Sequence, residues 1–469
     1  MKELRRNMRF IGTLLLVLFI AAGSWYGLTV YTEGSVWASD VYNPRLSRTQ
    51  AFRGNITDRN GVILAATSAE GERQYLANET ARRALSQTVG DTAGMSGTGI
   101  ETFYAATLLD LSTSLTDRLS ELLNNVGHTG SSVQITVDAK LQAYISSIFP
   151  EDYHGAVCII NYQTGEILVM VSMPNYDPNQ LLVRSDAEVE DSAYLNRCLQ
   201  GLYTPGSIFK IITLASALEN DPNVANQAFT CSGTWEYEGG SIVCMSGRTA
   251  HGDVDLREAF VRSCNVTFGK LAYQLGINRL SHTAETFGFN ENFKFGDFIV
   301  YNSSFPKETR NMNELVWAGI GQGEVLVSPL HVAMISGAVA NNGVLMQPYL
   351  VERITTAIGQ TTHSGEAKPY RTLMQPATAQ RIEDYMRDTV SYGTASNAAI
   401  RGINVCGKTG SAETSNDKTK ATDAWYTGYI DDPRYPYAIS VVIEQGGAGG
   451  DLAARLAAQA LSKAVELAG

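Results

Sequence analysis

Two separated pairs of short apolar runs predict antiparallel strands, and the turn residues 162–165 join the two runs of the first pair as a hairpin. The first pair covers residues 156–160 and 166–172, and the second covers 425–430 and 437–444. The sequence between the pairs is mostly helical in character, and an Ala/Leu-rich helix is predicted at 452–467. Strands at both ends of one region, with helices between them, predict an antiparallel sheet covered by helices, which is an α+β fold.

A smaller accessory region precedes this fold. The pair Asn60-Gly61 lies between short apolar runs and predicts a β-hairpin. Helical spacing covers 102–124, and a strand is predicted at 133–137. Asp138 follows that strand, and we expect it to cap the next helix.

The N-terminus is much more apolar than the rest of the chain. Residues 10–30 form a run of 21 residues without a charge. Four basic residues precede the run, namely Lys2, Arg5, Arg6 and Arg9. About 20 apolar residues span a bilayer, and basic residues hold their end in the cytoplasm. The run therefore predicts a membrane anchor with the remaining chain outside the cytoplasm, although a signal peptide cleaved near 36–38 is an alternative.

Charge and histidine content limit the classes of function. The chain has 469 residues and a formal net charge of −11, which argues against a nucleic-acid-binding protein because such proteins carry a basic face. Its six histidines are scattered without the paired spacing of a metal site. We therefore expect no metal and no cofactor.

The six cysteines likewise show no zinc-binding spacing. Cys231 and Cys244 flank a Gly-rich segment with 12 residues between them, and either a disulfide or two free thiols fits this arrangement. Cys264 and Cys406 lie inside or beside the motifs described next, where we expect small buried thiols.

The first motif with chemical potential pairs Ser207 with Lys210. Ser207 follows a Pro-Gly pair and begins a strongly apolar helix, and residues three apart share a helix face, so we expect the Lys210 amine to reach the Ser207 hydroxyl. Burial and the positive end of the helix disfavour a charged amine, and a neutral amine activates a serine by accepting its proton. The same spacing begins at Ser304 and Ser415, but the first contains a proline and the second lies in a polar loop.

The second motif is Ser263-Cys264-Asn265, between two predicted helices. A short turn there directs both polar side chains into a cleft, where Ser263 relays a proton between Lys210 and a leaving amine and Asn265 holds a substrate amide. Taken alone, the two residues would indicate only a turn and a helix cap.

The third motif is Lys408-Thr409-Gly410. Residues 402–409 formally match the phosphate-binding pattern G-x-x-x-x-G-K-T, but that loop must follow a buried strand and begin a helix, which the flanking sequence does not predict. The alternative is an edge strand along a cleft. There Lys408 and Thr409 attract a substrate carboxylate, and Gly410 lets the ligand backbone approach closely.

Together these motifs resemble the S-x-x-K, S-x-N and K-T-G elements of the penicillin-binding proteins. Segments at 53–65, 321–323 and 393–395 are also similar to that family, and the first is typical of its class B members. The short accessory region is similar to the small type-A subgroup of class B. The resemblance runs from about residue 50 to the end of the chain.

The resemblance implies a transpeptidase domain like that of penicillin-binding proteins and serine β-lactamases over 153–469. It also implies a small pedestal over 31–152, one transmembrane helix at 10–30 and a cytoplasmic tail at 1–9. The catalytic residues that it implies are Ser207 as the acylated nucleophile, Lys210 as its base, Ser263, Asn265 and Lys408. The residues implied to bind the substrate are Thr409, Gly410 and Ser411, of which Thr409 and Ser411 bind its terminal carboxylate together with Lys408.

The implied reaction is D,D-transpeptidation of peptidoglycan stem peptides through a serine acyl-enzyme, which β-lactams trap. The alternatives to a transpeptidase are a D,D-carboxypeptidase, a β-lactamase and a penicillin sensor, each of which would use the same serine. The span and pedestal favour crosslinking, in a single-pass membrane protein with its catalytic domain outside the cell. Since about 120 residues are too few for a glycosyltransferase domain, the resemblance also implies a separate membrane glycosyltransferase as partner.

Overall fold

The computed structural model describes residues 2–38, 52–111, 130–180, 191–244, 250–413 and 421–469. Its α-helices are α1 (Lys2–Ala38), α2 (Glu79–Ala84), α3 (Ser86–Val89), α4 (Ile100–Phe103), α5 (Ala105–Leu108), α6 (Ala139–Ile148), α7 (Arg197–Gln200), α8 (Lys210–Asn220), α9 (Leu256–Val261), α10 (Asn265–Thr286), α11 (Met312–Ala318), α12 (Pro329–Ala340), α13 (Pro376–Ser391) and α14 (Leu452–Ala468). Its strands are β1 (Ile56–Thr57), β2 (Ile63–Thr67), β3 (Arg73–Tyr75), β4 (Ser132–Ile135), β5 (Gly155–Asn161), β6 (Ile167–Met173), β7 (Ala228–Cys231), β8 (Thr234–Tyr237), β9 (Gly240–Val243), β10 (Gly252–Asp255), β11 (Val344–Met346), β12 (Val351–Thr355), β13 (Thr361–Ser364), β14 (Pro369–Thr372), β15 (Val405–Ala412), β16 (Asp423–Ile430) and β17 (Tyr437–Ile443).

The two predicted strand pairs lie side by side in one antiparallel sheet, with the order β15-β16-β17-β5-β6. β17 joins the pairs by hydrogen-bonding to β5, so strands from the two ends of the region are neighbours. The predicted α+β fold with an antiparallel sheet is therefore confirmed. β15 lies at the edge of the sheet and carries the third motif.

Helices cover both faces of this sheet. Along β5, Ala156 and Cys158 pack into the hydrophobic cluster on one face, while Val157 and Ile159 pack into the cluster on the other. α12 packs on the first face, and α14 and α6 pack on the second. The strand is buried on both sides, which is why its sequence is almost entirely apolar.

The accessory region contains a second sheet, with the order β13-β12-β4-β1-β2-β3. The predicted hairpin is present as β1 and β2, and Asp138 caps α6 by accepting from the Leu141 amide at 2.9 Å. Two of the six strands, β12 and β13, come from residues 351–364, since β12 pairs with β4. The sheet therefore combines residues from both sides of the 152/153 boundary.

A buried ion pair network connects the strands of this sheet to α4. The Glu101 carboxylate is fully buried and accepts from Arg53 Nη1 at 2.8 Å and from Arg73 Nε at 2.6 Å. Arg73 also donates to the Gly54 carbonyl at 2.9 Å. These bonds fix the start of the segment at 53–65 against the rest of the accessory region.

The apolar run at 10–30 lies within α1, one continuous helix from Lys2 to Ala38. Over the residues that the structure describes, no helix meets the length and hydropathy required to cross a membrane. The predicted helix at 102–124 is present in part, as α4 and α5, and residues 112–124 lie outside the described residues.

Candidate active site

Ser207 lies in a tight 3₁₀ turn, Gly206–Phe209, that leads directly into α8. The sequence predicts an α-helix from Ser207 onwards, but the regular helix begins only at Lys210. Gly206 adopts a φ of 56°, which glycine tolerates best, and this conformation turns the chain sharply before Ser207. The Phe209 ring anchors the turn by stacking on Phe305, with centroids 5.2 Å apart.

The turn is also fixed against the edge of the central sheet. Trp425 on β16 donates from its indole Nε1 to the Thr204 carbonyl at 3.0 Å. A side chain on Gly410 would lie 2.8 Å from the Pro205 carbonyl oxygen, so β15 and the turn are in close contact only because residue 410 is glycine. The first and third motifs therefore lie next to each other.

The Lys210 amine is fully buried and donates to the second motif. Its Nζ lies 2.7 Å from the Ser263 carbonyl oxygen, 3.1 Å from Ser263 Oγ and 2.7 Å from Asn265 Oδ1. Helical spacing predicts that the Lys210 amine reaches the Ser207 hydroxyl, but no hydrogen bond joins these two groups among the described residues, and the spacing did not indicate the three partners above. They arise because the turn between α9 and α10 faces the first turn of α8.

Ser263 adopts a left-handed conformation, with φ at 56°. This conformation is costly for a residue with a side chain, by about 1–3 kcal/mol, and such strain is concentrated at functional sites. The next residue, Cys264, caps α10 by accepting from the Thr267 amide at 3.4 Å. The sequence therefore predicted the inter-helix turn correctly, but not its strained geometry.

Lys408 contacts the same hydroxyl. Its Nζ donates to Ser263 Oγ at 3.0 Å and to the Thr409 carbonyl at 3.1 Å. The edge-strand prediction for this motif is confirmed, and the antiparallel position of β15 excludes a phosphate-binding loop, which needs a strand followed by a helix. The Ser263 hydroxyl thus accepts a hydrogen bond from each of the two lysine amines.

Both amines are held in a low-dielectric environment. Burial lowers the pKa of Lys210 to about 8. Burial and repulsion from Lys210 lower the pKa of Lys408 well below its usual value. A neutral amine at Lys210 is therefore accessible near physiological pH, as a base for a serine hydroxyl requires.

A cleft of about 330 Å³ opens beside these groups. The residues that line it are Ser207, His251, Arg262, Ser263, Thr394, Thr409, Gly410, Ser411, Ala448 and Gly450. All three motifs therefore contribute residues to the wall of one cleft, as predicted. The amines of Lys210 and Lys408 do not line the cleft themselves but lie behind Ser263, to whose hydroxyl both donate.

Sequence reasoning missed several residues of the cleft. Thr394 accepts from Thr409 Oγ1 at 2.9 Å, and the only indication was its place in the segment at 393–395. Gly449 donates from its amide to Ser411 Oγ at 3.1 Å and so orients that hydroxyl. No local pattern in the sequence indicated Arg262 as a residue of the cleft wall.

Of the two alternatives for Cys231 and Cys244, a disulfide or two free thiols, the structure shows the free thiols. Cys231 and Cys244 are free thiols with sulfur atoms 3.5 Å apart, so the disulfide alternative is wrong in this structure. The two thiols do not face each other alone, because Cys264 Sγ lies 3.6 Å from Cys244 Sγ. His251 Nδ1 lies 3.5 Å from Cys231 Sγ.

Comparison with known families settles what kind of domain carries this site. Residues 155–462 match the family model of the penicillin-binding protein transpeptidase domain. The chain belongs to this family. It is a homologue of the class B penicillin-binding proteins, as its motifs had indicated.

Relatives of this penicillin-binding protein come from several bacterial groups. Peptidoglycan D,D-transpeptidase PbpA of Mycolicibacterium smegmatis is 28% identical, over 98% of this chain and 99% of its own length. Stage V sporulation protein D of Bacillus subtilis is 33% identical over 61% of this chain, which matches 45% of that longer protein.

Two solved structures show how far the similarity in fold extends. Penicillin-binding protein A from Mycobacterium tuberculosis, as a ceftriaxone acyl-enzyme complex, has a TM-score of 0.80 and 26% identity, covering 89% of this chain and 99% of that chain. The D,D-transpeptidase domain from Eggerthella lenta has a TM-score of 0.78 and 31% identity, covering 90% and 100%.

Proposed function

We propose that this penicillin-binding protein is a peptidoglycan D,D-transpeptidase that works through an acyl-enzyme on Ser207. The observation that carries the proposal is the position of Ser263 Oγ, which lies 3.1 Å from Lys210 Nζ and 3.0 Å from Lys408 Nζ on the wall of a cleft that also contains Ser207. The homologous D,D-transpeptidases and the β-lactam acyl-enzyme of a structural neighbour support the same reaction.

Acylation uses the lysine and serine side chains as a proton path. Ser207 Oγ attacks the carbonyl carbon of the penultimate D-alanine, and its proton passes to neutral Lys210. The bond to the last D-alanine then breaks, and the leaving amine takes a proton from Lys210 through Ser263 Oγ. An amine of a second stem peptide attacks the resulting ester, forms the crosslink and returns the proton to Ser207.

The third motif holds the carboxylate of the stem peptide. The hydroxyls of Thr409 and Ser411 line the cleft, and Lys408 adds positive charge from one layer behind them. The backbone N–H groups of Ser207 and Ser411 are the proposed donors to the oxyanion. Asn265 holds Lys210 through its Oδ1 and is the proposed contact for a substrate amide.

Labelling with fluorescent penicillin tests the nucleophile. We expect the wild-type chain and Ser304→Ala to be labelled covalently and Ser207→Ala to remain unlabelled. Ser304 is a matched control because it begins another Ser-x-x-Lys segment outside the cleft. Labelling of Ser207→Ala at the wild-type rate would remove Ser207 from its role.

The fate of the acyl group separates transferase from hydrolase. A thioester substrate that acylates Ser207 is mixed with the chain, with and without a D-amino acid as acceptor. We expect most of the acyl group to appear in a new amide when the acceptor is present. Release of free acid alone, at an unchanged rate, would instead assign a carboxypeptidase or β-lactamase.

We further propose that residues 10–30 anchor the chain in the cell membrane, after a cytoplasmic tail at 1–9. On this proposal the pedestal at 31–152 and the transpeptidase domain at 153–469 lie outside the cell, beside a separate membrane glycosyltransferase. The exposed apolar side chains of α1, such as Leu15 at 60% and Phe19 at 79%, support an apolar surrounding for this helix. Membrane fractionation and protease digestion of intact cells test the anchor, and a mature N-terminus after residue 38 would contradict it.

A further inference from the structure

Four side chains next to the second motif turn their metal-binding atoms toward a common point. Cys231, Cys244, His251 and Cys264 each offer one such atom, and all four atoms lie within 4.8 Å of one another. The three cysteines are at most 2% exposed. The proposed transpeptidase chemistry uses none of these four groups.

Three of the six separations between these atoms are close to those of a tetrahedral metal site, and the other three are within 4.8 Å. Zinc bonds of about 2.3 Å to sulfur and about 2.0 Å to nitrogen place sulfur atoms about 3.8 Å apart, and sulfur and nitrogen about 3.5 Å apart, around a tetrahedral ion. The sulfur–sulfur distances are 3.5 Å for Cys231 to Cys244 and 3.6 Å for Cys244 to Cys264. Cys231 Sγ lies 3.5 Å from His251 Nδ1.

A set of three thiols and one imidazole selects a borderline-soft ion. Cys₃His is a common donor set of structural zinc sites, whereas magnesium and calcium prefer oxygen ligands. The four protein ligands complete the tetrahedron, and no position remains for water or substrate. We propose that this chain binds one zinc ion through Cys231, Cys244, His251 and Cys264, and that the ion has a structural role.

The position of the cluster indicates what this zinc stabilises. Cys264 lies between Ser263 and Asn265. Cys231 ends β7, three positions before the β8–β9 hairpin, and Cys244 directly follows that hairpin. A second bond already joins these elements, because Asn265 Nδ2 donates to the Val243 carbonyl at 2.9 Å. The ion therefore crosslinks the hairpin to the turn that holds Ser263 in its left-handed conformation.

Metal content of the purified full-length chain tests the proposal. After passage over a chelating resin, we expect about one zinc per chain by mass spectrometry, as for a closed four-ligand site. Cys231→Ser and Cys244→Ser should each lower the zinc content at least about tenfold. Cys406→Ser is the matched control, since Cys406 is equally buried and lies outside the cluster, and it should keep its zinc.

A measurement on the wild-type chain alone covers the case in which a cysteine variant does not fold. Cobalt substituted for zinc should give the intense thiolate-to-cobalt absorption and the d–d bands of a tetrahedral site. A wild-type chain with less than about a tenth of a zinc ion would overturn the proposal. A cobalt spectrum without thiolate bands, or unchanged zinc in folded Cys231→Ser, would overturn it as well.

The test is independent of the serine chemistry. Ser207→Ala should hold as much zinc as the wild type, because Ser207 is not among the ligands. A zinc-free wild-type chain that is still labelled at Ser207 would refute the metal site and leave the proposed function intact. A Ser207→Ala chain that holds zinc and is still labelled would refute the proposed function and leave the metal site intact.

Discussion

The segment Gly321-Gln322-Gly323 offers a sharp test of how the nucleophile is positioned. Both glycines have a φ of +75°, so alanine at either position is strained by the same backbone conformation. Their surroundings differ completely. A Cβ on Gly321 would lie 2.6 Å from Phe209 Cβ and still closer to the Gly206 carbonyl oxygen, whereas a Cβ on Gly323 would have no atom within 4 Å.

The expected magnitudes follow from this difference. Gly323→Ala should cost about 1–2 kcal/mol of stability, for the left-handed conformation alone, and leave acylation within about twofold of wild type. Gly321→Ala carries the same cost and about 1–3 kcal/mol more for overpacking against backbone that cannot rotate away. Because Gly206 precedes Ser207 and donates to the Gly321 carbonyl at 2.8 Å, the clash moves the nucleophile turn.

Rates of acylation by fluorescent penicillin, measured well below the unfolding midpoint of each variant, check the reasoning. A displacement of about 1 Å at a reacting group costs on the order of 10²-fold in rate, which is the loss expected for Gly321→Ala. Thermal unfolding separates this effect from loss of folded protein. If the two alanine variants acylate equally fast, the Gly321–Gly206 contact does not set the position of Ser207.

Three further predictions concern buried ionisable side chains. Lys408→Met should slow acylation by about 10- to 200-fold in the same labelling assay, because a charged donor worth about 1.5–3 kcal/mol is lost beside Ser263, and an unchanged rate would contradict this. Glu101→Gln should destabilise the fold by about 3–5 kcal/mol in denaturant unfolding, because Arg53 and Arg73 lose the carboxylate with which they pair. The control is the exposed ion pair between Glu366 and Lys368, and Glu366→Gln should change stability by less than about 1 kcal/mol. Burial lowers the pKa of His331 from 6.5 to about 4, so its stabilising effect is complete above pH 6.5 and is lost as the pH falls toward 4, by about 2 kcal/mol between pH 7 and pH 5. The stability difference between wild type and His331→Gln should shrink by that amount over this range, and parallel pH curves would refute the assignment.

The central sheet was predictable because its signal is local. Strands such as β5 and β16 are continuous apolar segments bounded by turn residues, and each predicted pair is connected by a short turn. The second sheet was only partly predictable. β12 and β13 enter it from residues 351–364, more than 200 positions after β4, and no pattern within a short window indicates such a pairing.

The residues that motif chemistry selected lie together in the structure, but their contacts were only partly foreseen. Motif chemistry identified Ser207, Lys210, Ser263 and Lys408, and the structure brings all four to one place. Helical spacing alone could not show that the Lys210 amine donates to Ser263, because that contact depends on how α8 faces the turn before α10. The cysteine cluster was missed for the same reason. Its ligands are 13, 7 and 13 positions apart and come together only through the folded hairpin.

The two proposals converge on the turn at Ser263. This residue has a strained backbone, accepts hydrogen bonds from two buried amines and immediately precedes a proposed zinc ligand. A strained conformation persists only when its surroundings impose it. The hydrogen bonds from Lys210 hold this conformation through Ser263 itself, and the Cys264 cluster would hold it through the next residue in the chain. Loss of zinc should therefore slow acylation through displacement of Ser263, while Ser207 and its 3₁₀ turn remain in place, because the contacts of that turn with Trp425, Phe305 and Gly321 do not involve the cluster.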